Sequence, residues 1–178
     1  MSAEADLAFV ALFAILMPIL DYLVLWPAFL RRAQRDPVAA RRRLWIEAMV
    51  VSWALVAVGA FLWSRHDRSW REFGFVWPEG WRLWTACVVI APIAAYYAWS
   101  AMAVAANADL RSAVRVQYGS LAQMMPHTRA ELRWYIVTSL SSGFCEEFLF
   151  RAYFVWALAP WLGWWSAAAL SIPAFAVA

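Results

Sequence analysis

Long apolar runs, separated by short polar segments, form the main pattern along this chain. Five runs approach or exceed the length of a membrane span, and they cover residues 7–30, 44–64, 83–106, 132–160 and 161–178. A membrane-spanning helix needs about 20 mostly apolar residues, and these runs lack the alternation of apolar and polar positions that marks a membrane strand. The pattern therefore predicts an all-α fold, a polytopic transmembrane helical bundle with about five spans.

The polar stretch at residues 107–125 is too short and too polar to span a membrane. Its apolar residues recur at helical spacing, and they are Leu110, Val114, Tyr118, Leu121 and Met125. This spacing predicts either a helix on the cytoplasmic membrane surface or a connecting helix packed on the bundle, and the sequence favours neither. Pro126 ends this helix, and the capping-box spacing of Thr128 and Glu131 begins the next one.

Composition indicates that most of the chain is surrounded by lipid. Of its 178 residues, 65% are hydrophobic and 15% are charged, whereas a soluble domain is about 45–50% apolar and about 25% charged. Because too few charges remain to cover a surface in water, a soluble globular domain and a disordered chain are excluded. The two cysteines, Cys87 and Cys145, lie in separate apolar runs, so we expect free thiols rather than a disulfide scaffold.

The arginines, which supply all 15 positive side chains, predict the orientation of the bundle. Nine lie in the polar segments after the first and third runs, a tenth, Arg133, lies at the start of the fourth run, and four lie in the segment after the second. The positive-inside rule places the ten in the cytoplasm and the N-terminus outside. The sequence is rich in alanine, arginine and tryptophan. We therefore expect an integral protein of the bacterial inner (plasma) membrane, in contact with membrane lipid. Because the arginines fall between apolar runs, we expect no nucleic-acid partner.

Three charged residues, Glu146, Glu147 and Arg151, lie in the middle of the fourth apolar run. Glu146 comes 12 residues after Trp134, which at about 1.5 Å per residue is about 18 Å into a hydrocarbon core of about 30 Å. An ionisable group costs about 2.5–3.5 kcal/mol at the centre of a membrane helix. The sequence therefore predicts that all three side chains face a protein interior or a wet cavity.

The spacing of these charges separates their roles. Glu147 and Arg151 are four residues apart on one helix face, so we expect them to form an ion pair. Glu146 points about 100° away without a dedicated cation, which makes it a candidate general base for a water molecule. Ser142 and Gly143 leave room nearby for water or a second helix. A buried ion network that only locks helices together is the structural alternative, but it does not explain the uncompensated negative charge.

The segment Glu146-Glu-Phe-Leu-Phe-Arg151 resembles the EExxxR signature of the CAAX-protease and bacteriocin-processing family, also called CPBP or Abi, of glutamic-type intramembrane proteases. Its surroundings are also similar, because Thr128-Arg-Ala-Glu131 leads into an apolar helix with a Ser-Ser-Gly stretch before the glutamates. The segment 71–78 is similar to a short link that the family places before a span. The resemblance identifies residues 128–178 as the start of a catalytic core, after three membrane helices and a surface helix in residues 1–127.

The resemblance implies hydrolysis of a peptide bond in a membrane-embedded protein or peptide. Glu146 would activate the water, Glu147 would assist, and Arg151 would hold the glutamates in place. Phe175 matches the first position of the family's FxxxH motif, and the sequence stops before the histidine. A third motif, with histidine and asparagine, has no counterpart, so we expect the gene to continue and its next residue to be histidine. Ala152 also departs from the family, in which glycine is usual at this position.

The remaining histidine, cysteine and acidic residues are weaker candidates for catalytic or metal-binding roles. His66 and His127 lie in loops and form no zinc-binding pair, so no cofactor is expected and a metal is not favoured. Cys145 has no histidine near it in the sequence, which argues against a thiol nucleophile. Asp21, in the first run, is either a partner of the central site or a group that reaches the interface, whereas Glu47 is expected at the interface.

Two functions are compatible with these patterns. The leading one is an intramembrane endopeptidase that uses Glu146, Glu147 and Arg151, with Ser142 and Phe175 in supporting positions. The alternative is a non-catalytic or degenerate membrane protein of the same fold, with an immunity or scaffold role, or a proton-coupled carrier that uses Glu146 as its proton site.

Overall fold

The computed structural model describes residues 2–66, 68–73 and 79–177, except the side chains of residues 2, 82, 115, 120 and 177. All regular structure in these residues is helical, which confirms the predicted all-α fold class. The longer helices are α1 (residues 2–33), α2 (Pro37–Arg65), α3 (Trp81–Ala106), α4 (Ala108–Tyr118), α5 (residues 129–162) and α6 (Trp164–Val177). Short 3₁₀ segments lie at Trp70–Phe73 and Gly119–Met124.

Two of these helices change their winding along their length. α1 is α-helical at Ser2–Ala11, Met17–Leu20 and Trp26–Ala33, and π-helical at Leu12–Leu16 and Asp21–Leu25. α5 is α-helical at Arg129–Glu146 and Val155–Leu162, and π-helical at Glu147–Phe154. Asp21 and Glu147 are the first residues of two of these π-helical segments. Such turns inside α-helices often accompany functional sites.

Residue contacts divide the chain into two compact units. The first unit comprises Met1–Phe75 and Met125–Ala178, and it therefore holds α1, α2, α5 and α6. The second unit comprises Val76–Met124 and holds α3 and α4. The sequence predicts a boundary after residue 127, where the catalytic core begins. This boundary is defined by function and not by packing, so it stays a prediction.

In the second unit, α3 is the long apolar helix and α4 is the shorter amphipathic one. α4 begins after Asn107, whose side chain accepts hydrogen bonds from the backbone N–H groups of Asp109 and Leu110 at 2.9 and 3.2 Å. The helix predicted in residues 107–125 is therefore present at Ala108–Tyr118, and a separate 3₁₀ segment follows at Gly119–Met124. Its location at the membrane surface stays a prediction.

Side-chain caps set where two helices of the first unit begin. α2 follows Asp36, whose carboxylate accepts hydrogen bonds from the backbone N–H groups of Val38 and Ala39 at 3.1 and 3.0 Å. α5 follows Thr128, whose hydroxyl accepts a hydrogen bond from the Glu131 N–H at 3.2 Å. The Glu131 carboxylate in turn accepts one from the Thr128 N–H at 3.1 Å. The predicted capping box is therefore confirmed.

The short link before α3 belongs partly to the first unit. Its residues Trp70–Phe73 form a 3₁₀ turn, and the ring of Phe73 is buried 4.2 Å from the ring of Trp63. The rest of the link that resembles the family, residues 74–78, lies outside the described residues.

α2 and α5 run side by side in the same direction. Arg41, in the first turns of α2, donates two hydrogen bonds to Glu131 in the first turn of α5, at 2.9 and 2.7 Å. Further along, the indole N–H of Trp53 donates a hydrogen bond to the Ser141 hydroxyl at 2.6 Å. These pairs hold α5 against α2 from its first turn to the turn before the two glutamates.

α1 runs antiparallel to α5. Asp6, near the start of α1, accepts a hydrogen bond from the Tyr153 hydroxyl at 2.5 Å, and the ring of Phe13 lies 5.2 Å from the ring of Phe150. The buried aromatic residues of the core are Phe9, Phe13, Trp63, Phe73, Phe148, Phe150, Tyr153 and Phe154. Because such rings pack edge to face at defined distances, this core sets the depth of the α5 charges relative to α1.

Three helical segments are long and apolar enough to cross a membrane, namely Ala3–Ala33, Pro37–Arg65 and Leu83–Ala106. No more than 17% of the most apolar stretch of each is buried within the protein. Because this much exposed apolar surface needs lipid around it, the helices indicate an integral membrane protein. The fourth and fifth spans, expected in α5 and α6, and the orientation of the bundle stay predictions.

Candidate functional site

A cavity of about 360 Å³ lies among α1, α2, α5 and α6 in the first unit. Its walls are mostly apolar, and its polar lining comes from Asp21, Arg32, Glu47, Ser52 and Glu146. Ligand sites typically enclose about 300–1,000 Å³ and combine apolar walls with a few placed polar groups. The cavity is therefore the candidate functional site.

Glu146 is the last residue in the α-helical part of α5, and it lines the cavity next to Cys145, Leu149 and Phe150. The residue is half-buried, and no described residue donates a hydrogen bond to its carboxylate or forms an ion pair with it. A carboxylate that faces a cavity in this way can accept a proton from water bound there. Glu146 therefore has the position that a general base needs.

Glu147 and Arg151 lie on the neighbouring face of α5, outside the cavity lining. Their side chains are 69% and 41% exposed, and Nε of Arg151 lies 3.9 Å from Oε1 of Glu147. The expected ion pair is thus present with a long contact. The prediction that all three charges face a protein interior or a cavity is wrong for these two within the described residues. Because successive residues of a helix are rotated by about 100°, Glu147 points away from the part of the cavity that Glu146 lines.

Phe175 of α6 lines the cavity, and its ring lies 5.7 Å from the ring of Phe150. The guanidinium carbon of Arg151 lies 5.2 Å from the centre of the Phe175 ring, within the range of a cation–π contact. Ser142 is half-buried one helical turn before Glu146, and it does not belong to the cavity lining. Of the predicted site residues, the structure therefore places Glu146 and Phe175 at the cavity, puts Arg151 in contact with Phe175 and Glu147, and leaves Ser142 outside the lining.

Asp21 lines the same cavity as Glu146. The sequence had left open whether Asp21 is a partner of the central site or reaches the interface. Met17, Asp21 and Leu25 are four residues apart, and together they form part of one wall. This spacing indicates that they share a face of α1, but it cannot indicate which helix that face meets. Like Glu146, Asp21 has no hydrogen-bond or ion-pair partner among the described residues.

Glu47, the third acid of the cavity, is paired with two arginines. Its carboxylate accepts hydrogen bonds from Arg43 at 2.5 Å and from Arg32 at 3.3 Å. Its side chain is 40% exposed, which is compatible with the interfacial position expected from the sequence. Because two guanidinium groups compensate Glu47, the negative charge that remains in the cavity belongs to Asp21 and Glu146.

The residues considered for other chemistries do not form a second site. His66 follows α2 and His127 precedes α5, and neither lines the cavity. Cys145 is buried against the cavity beside Glu146. Within the ranges that the structure describes, no group of three or more His, Cys, Asp or Glu residues has the arrangement of a metal site.

Comparisons with protein-family models, with curated proteins and with solved structures find no match for this chain. The fold and the site nevertheless define a class of protein. It is an all-helical protein with helices of membrane-spanning length and a carboxylate-lined cavity among them. A closer assignment depends on the chemistry of the residues at this cavity.

Proposed function

We propose that this protein is an intramembrane endopeptidase, as its resemblance to the CAAX-protease and bacteriocin-processing family implies, and that Glu146 activates the hydrolytic water. The observation that carries this proposal is the position of Glu146, whose carboxylate lines a cavity of about 360 Å³ without a partner. Its neighbour Glu147 lies outside the cavity and contacts Arg151. Glu146 is therefore the glutamate of the pair that is available to bind and deprotonate water.

The remaining charged residues of the motif have positioning roles. Arg151 contacts Glu147 on its own helix and the ring of Phe175 on α6. It therefore connects the helix that carries the base to another wall of the cavity. A small displacement of a catalytic group lowers the rate strongly, so a contact that holds α5 and α6 together supports catalysis without touching the substrate.

The apolar walls of the cavity support a membrane-embedded protein or peptide as the substrate. Phe13, Leu25 and Leu149 face the space that a substrate would occupy, and apolar side chains of a peptide would contact them. Exclusion of bulk water by such walls also strengthens the electrostatic effects of the charged groups inside. We place the protein in the bacterial inner membrane with five spans and its N-terminus outside, on the distribution of arginines.

The proposal is tested by comparing protein N-termini in membranes from cells that produce the full chain or its E146Q variant. Glutamine keeps the shape of the side chain but cannot act as the base, so we expect cleavage to fall by about 100-fold or more. E4Q changes an exposed glutamate in the first turn of α1 and serves as the matched control. N-termini that persist at the wild-type level in E146Q reject Glu146 as the base.

A proton-coupled carrier is the second candidate, because two unpaired carboxyl groups, Asp21 and Glu146, line one cavity. Intramembrane carboxyl groups are typical of proton relays. Purified protein in liposomes that enclose a pH-sensitive dye distinguishes the functions, since a carrier moves protons under an imposed potential and E146Q stops this movement. If E146Q changes neither cleavage nor proton movement, a scaffold or immunity role is favoured instead.

A further inference from the structure

Asp21 and Glu146 reach the cavity from different helices at similar depth. The register of the antiparallel helices α1 and α5 follows from Phe13 and Phe150, whose ring centroids are 5.2 Å apart. Asp21 comes eight residues after Phe13, and Glu146 comes four residues before Phe150. At about 1.5 Å per residue they lie about 12 Å and about 6 Å from this contact, toward the same end of the bundle. The two carboxyl groups therefore differ in depth by about one helical turn.

The two carboxyl groups lie on different walls of the cavity. Asp21 is on the wall formed by α1, and Glu146 is on the wall formed by α5. They do not hydrogen-bond to each other, and the cavity of about 360 Å³ that both line has room for water and for part of a substrate. Two carboxyl groups about 5–9.5 Å apart, with the reacting bond between them, serve as acid and base in glycoside hydrolysis. Asp21 and Glu146, on opposite helices of one cavity, are the two carboxyl groups available for the same division of roles.

Few charged groups around the cavity can stabilise an ionised carboxyl group in it. The titratable and charged groups that line it with Asp21 are Arg32, Glu47, Cys145 and Glu146. Arg32 is bound to Glu47, and it lies eleven residues after Asp21, about 16 Å along α1. Arg151, five residues after Glu146, contacts Glu147 and Phe175, so no described cation is paired with Asp21 or Glu146. A carboxyl group that faces a mostly apolar cavity without a paired cation retains its proton more readily than one in water.

We propose that Asp21 is the general acid of the reaction, which it completes by protonating the leaving nitrogen of the peptide bond. This inference rests on the proposed function. The water oxygen bonds to the carbonyl carbon as the water gives a proton to Glu146. The C–N bond then breaks as Asp21 gives its proton to the nitrogen, and the products are one carboxylic acid and one amine. Proton exchange through the cavity water returns the proton from Glu146 to Asp21, and no other reactant is needed.

The first test compares cleavage by the full chain with cleavage by D21N, D21E and D109N. Asparagine has the shape of aspartate but cannot act as the acid, so we expect a loss of about 10²–10⁴-fold in D21N and the disappearance of one limb of the pH–rate profile. D21E keeps a carboxyl group and should recover part of the rate. D109N, at an exposed aspartate in the first turn of α4, should keep the wild-type rate and profile.

The second test does not depend on cleavage. Dicyclohexylcarbodiimide reacts with protonated carboxyl groups in apolar surroundings, and mass spectrometry locates the adduct in the full chain in lipid nanodiscs. At about pH 7, where a carboxyl group in water is ionised, we expect an adduct on Asp21, which lines the apolar cavity, and none on Asp109. Absence of the Asp21 adduct overturns the proposal whether or not peptides are cleaved. Cleavage that E146Q abolishes and D21N leaves unchanged also overturns it, while the proposed endopeptidase function stands.

Discussion

Asp6 and Arg68 form a two-point ion pair inside the first unit, in which Nη1 and Nη2 of Arg68 donate to Oδ1 and Oδ2 of Asp6 at 3.0 and 2.7 Å. The side chains of Arg68 and Asp6 are 11% and 5% exposed. The Tyr153 hydroxyl donates to the same carboxylate, and the Arg68 guanidinium lies 4.3 Å from the ring of Trp156. The hydrogen bonds to Asp6 raise the pKa of the Arg68 guanidinium above its usual value. The pair thus joins α1, α5 and the segment after α2.

We expect D6A to lower the free energy of unfolding by about 3–5 kcal/mol, because it leaves the Arg68 charge buried without a partner. Y153F removes one hydrogen bond to Asp6 and should lower it by about 1 kcal/mol. Helix content during titration with a denaturing detergent measures both effects. E4A, at an exposed acid in the same part of α1, is the control. Equal unfolding midpoints for D6A and E4A would contradict a stabilising role of the pair.

The buried, hydrogen-bonded carboxyl group of Glu131 leads us to expect that the free energy of unfolding depends on pH in the acid range. Burial opposes ionisation of this carboxyl group, but hydrogen bonds from the His127 N–H and from Arg41 outweigh the burial and hold the pKa of Glu131 below its usual value of 4.5. A group with a lowered pKa in the folded state stabilises the fold fully above its unfolded pKa, and this stability is lost as pH falls through the folded pKa. We therefore expect the free energy of unfolding to decrease on acidification below about pH 4.5.

E131Q isolates the charge in this prediction, because glutamine at the same position can still complete the capping box with Thr128. The variant should be less stable than the wild type near neutral pH and should lose less stability on acidification. Unfolding measured between about pH 7 and about pH 3 gives the two slopes, with E72Q at an exposed glutamate as the control. A wild-type slope in E131Q would mean that another group causes the acid dependence.

Gly59 lies where α2 approaches α1 and α5 closely. A β-carbon at this position would lie 3.0 Å from Cε1 of Phe9 and 3.1 Å from Cε1 of Phe148. We expect G59A to cost about 1–3 kcal/mol of unfolding free energy, because two buried rings must move. G143A is the matched control, since no described atom lies within 4 Å of its β-carbon, and as a helical Gly→Ala change without a clash it should raise stability by about 0.4–1 kcal/mol. Similar losses in both variants would exclude close packing as the cause.

The cavity is expected to be the place where the substrate binds. Ser52 lines it from α2, whereas Val50 on the same helix is 59% exposed. We expect S52F to fill part of the cavity and to lower cleavage by about tenfold or more, because the substrate is displaced from Glu146. V50F adds the same side chain at the lipid-facing surface and should keep wild-type cleavage. Normal cleavage by a folded S52F variant would place the substrate elsewhere.

Local patterns were sufficient to predict most helices and the beginning of α5, but not that of α2, which begins at Pro37 although its apolar run begins at residue 44. The capping box of Thr128 and Glu131 was predictable because both partners lie within one helical turn, and a hydrophobic run likewise depends only on neighbours in sequence. The contacts of Asp6 could not be predicted in the same way. Its partners Arg68 and Tyr153 are 62 and 147 residues away in the sequence. Only the packing of α1 against α5 and against the segment after α2 brings Asp6 to these two partners.

The sequence by itself determined that the protein is helical, that its helices are long enough to cross a membrane, and that Glu146, Glu147 and Arg151 are unusual in their apolar run. Only the tertiary structure decided that Glu146 rather than Glu147 faces the cavity and that Asp21 shares it. Hydrophobicity and capping act between neighbouring residues. The rotation of each helix about its axis and its register are instead set by contacts between rings that are far apart in the sequence, such as Phe13 and Phe150.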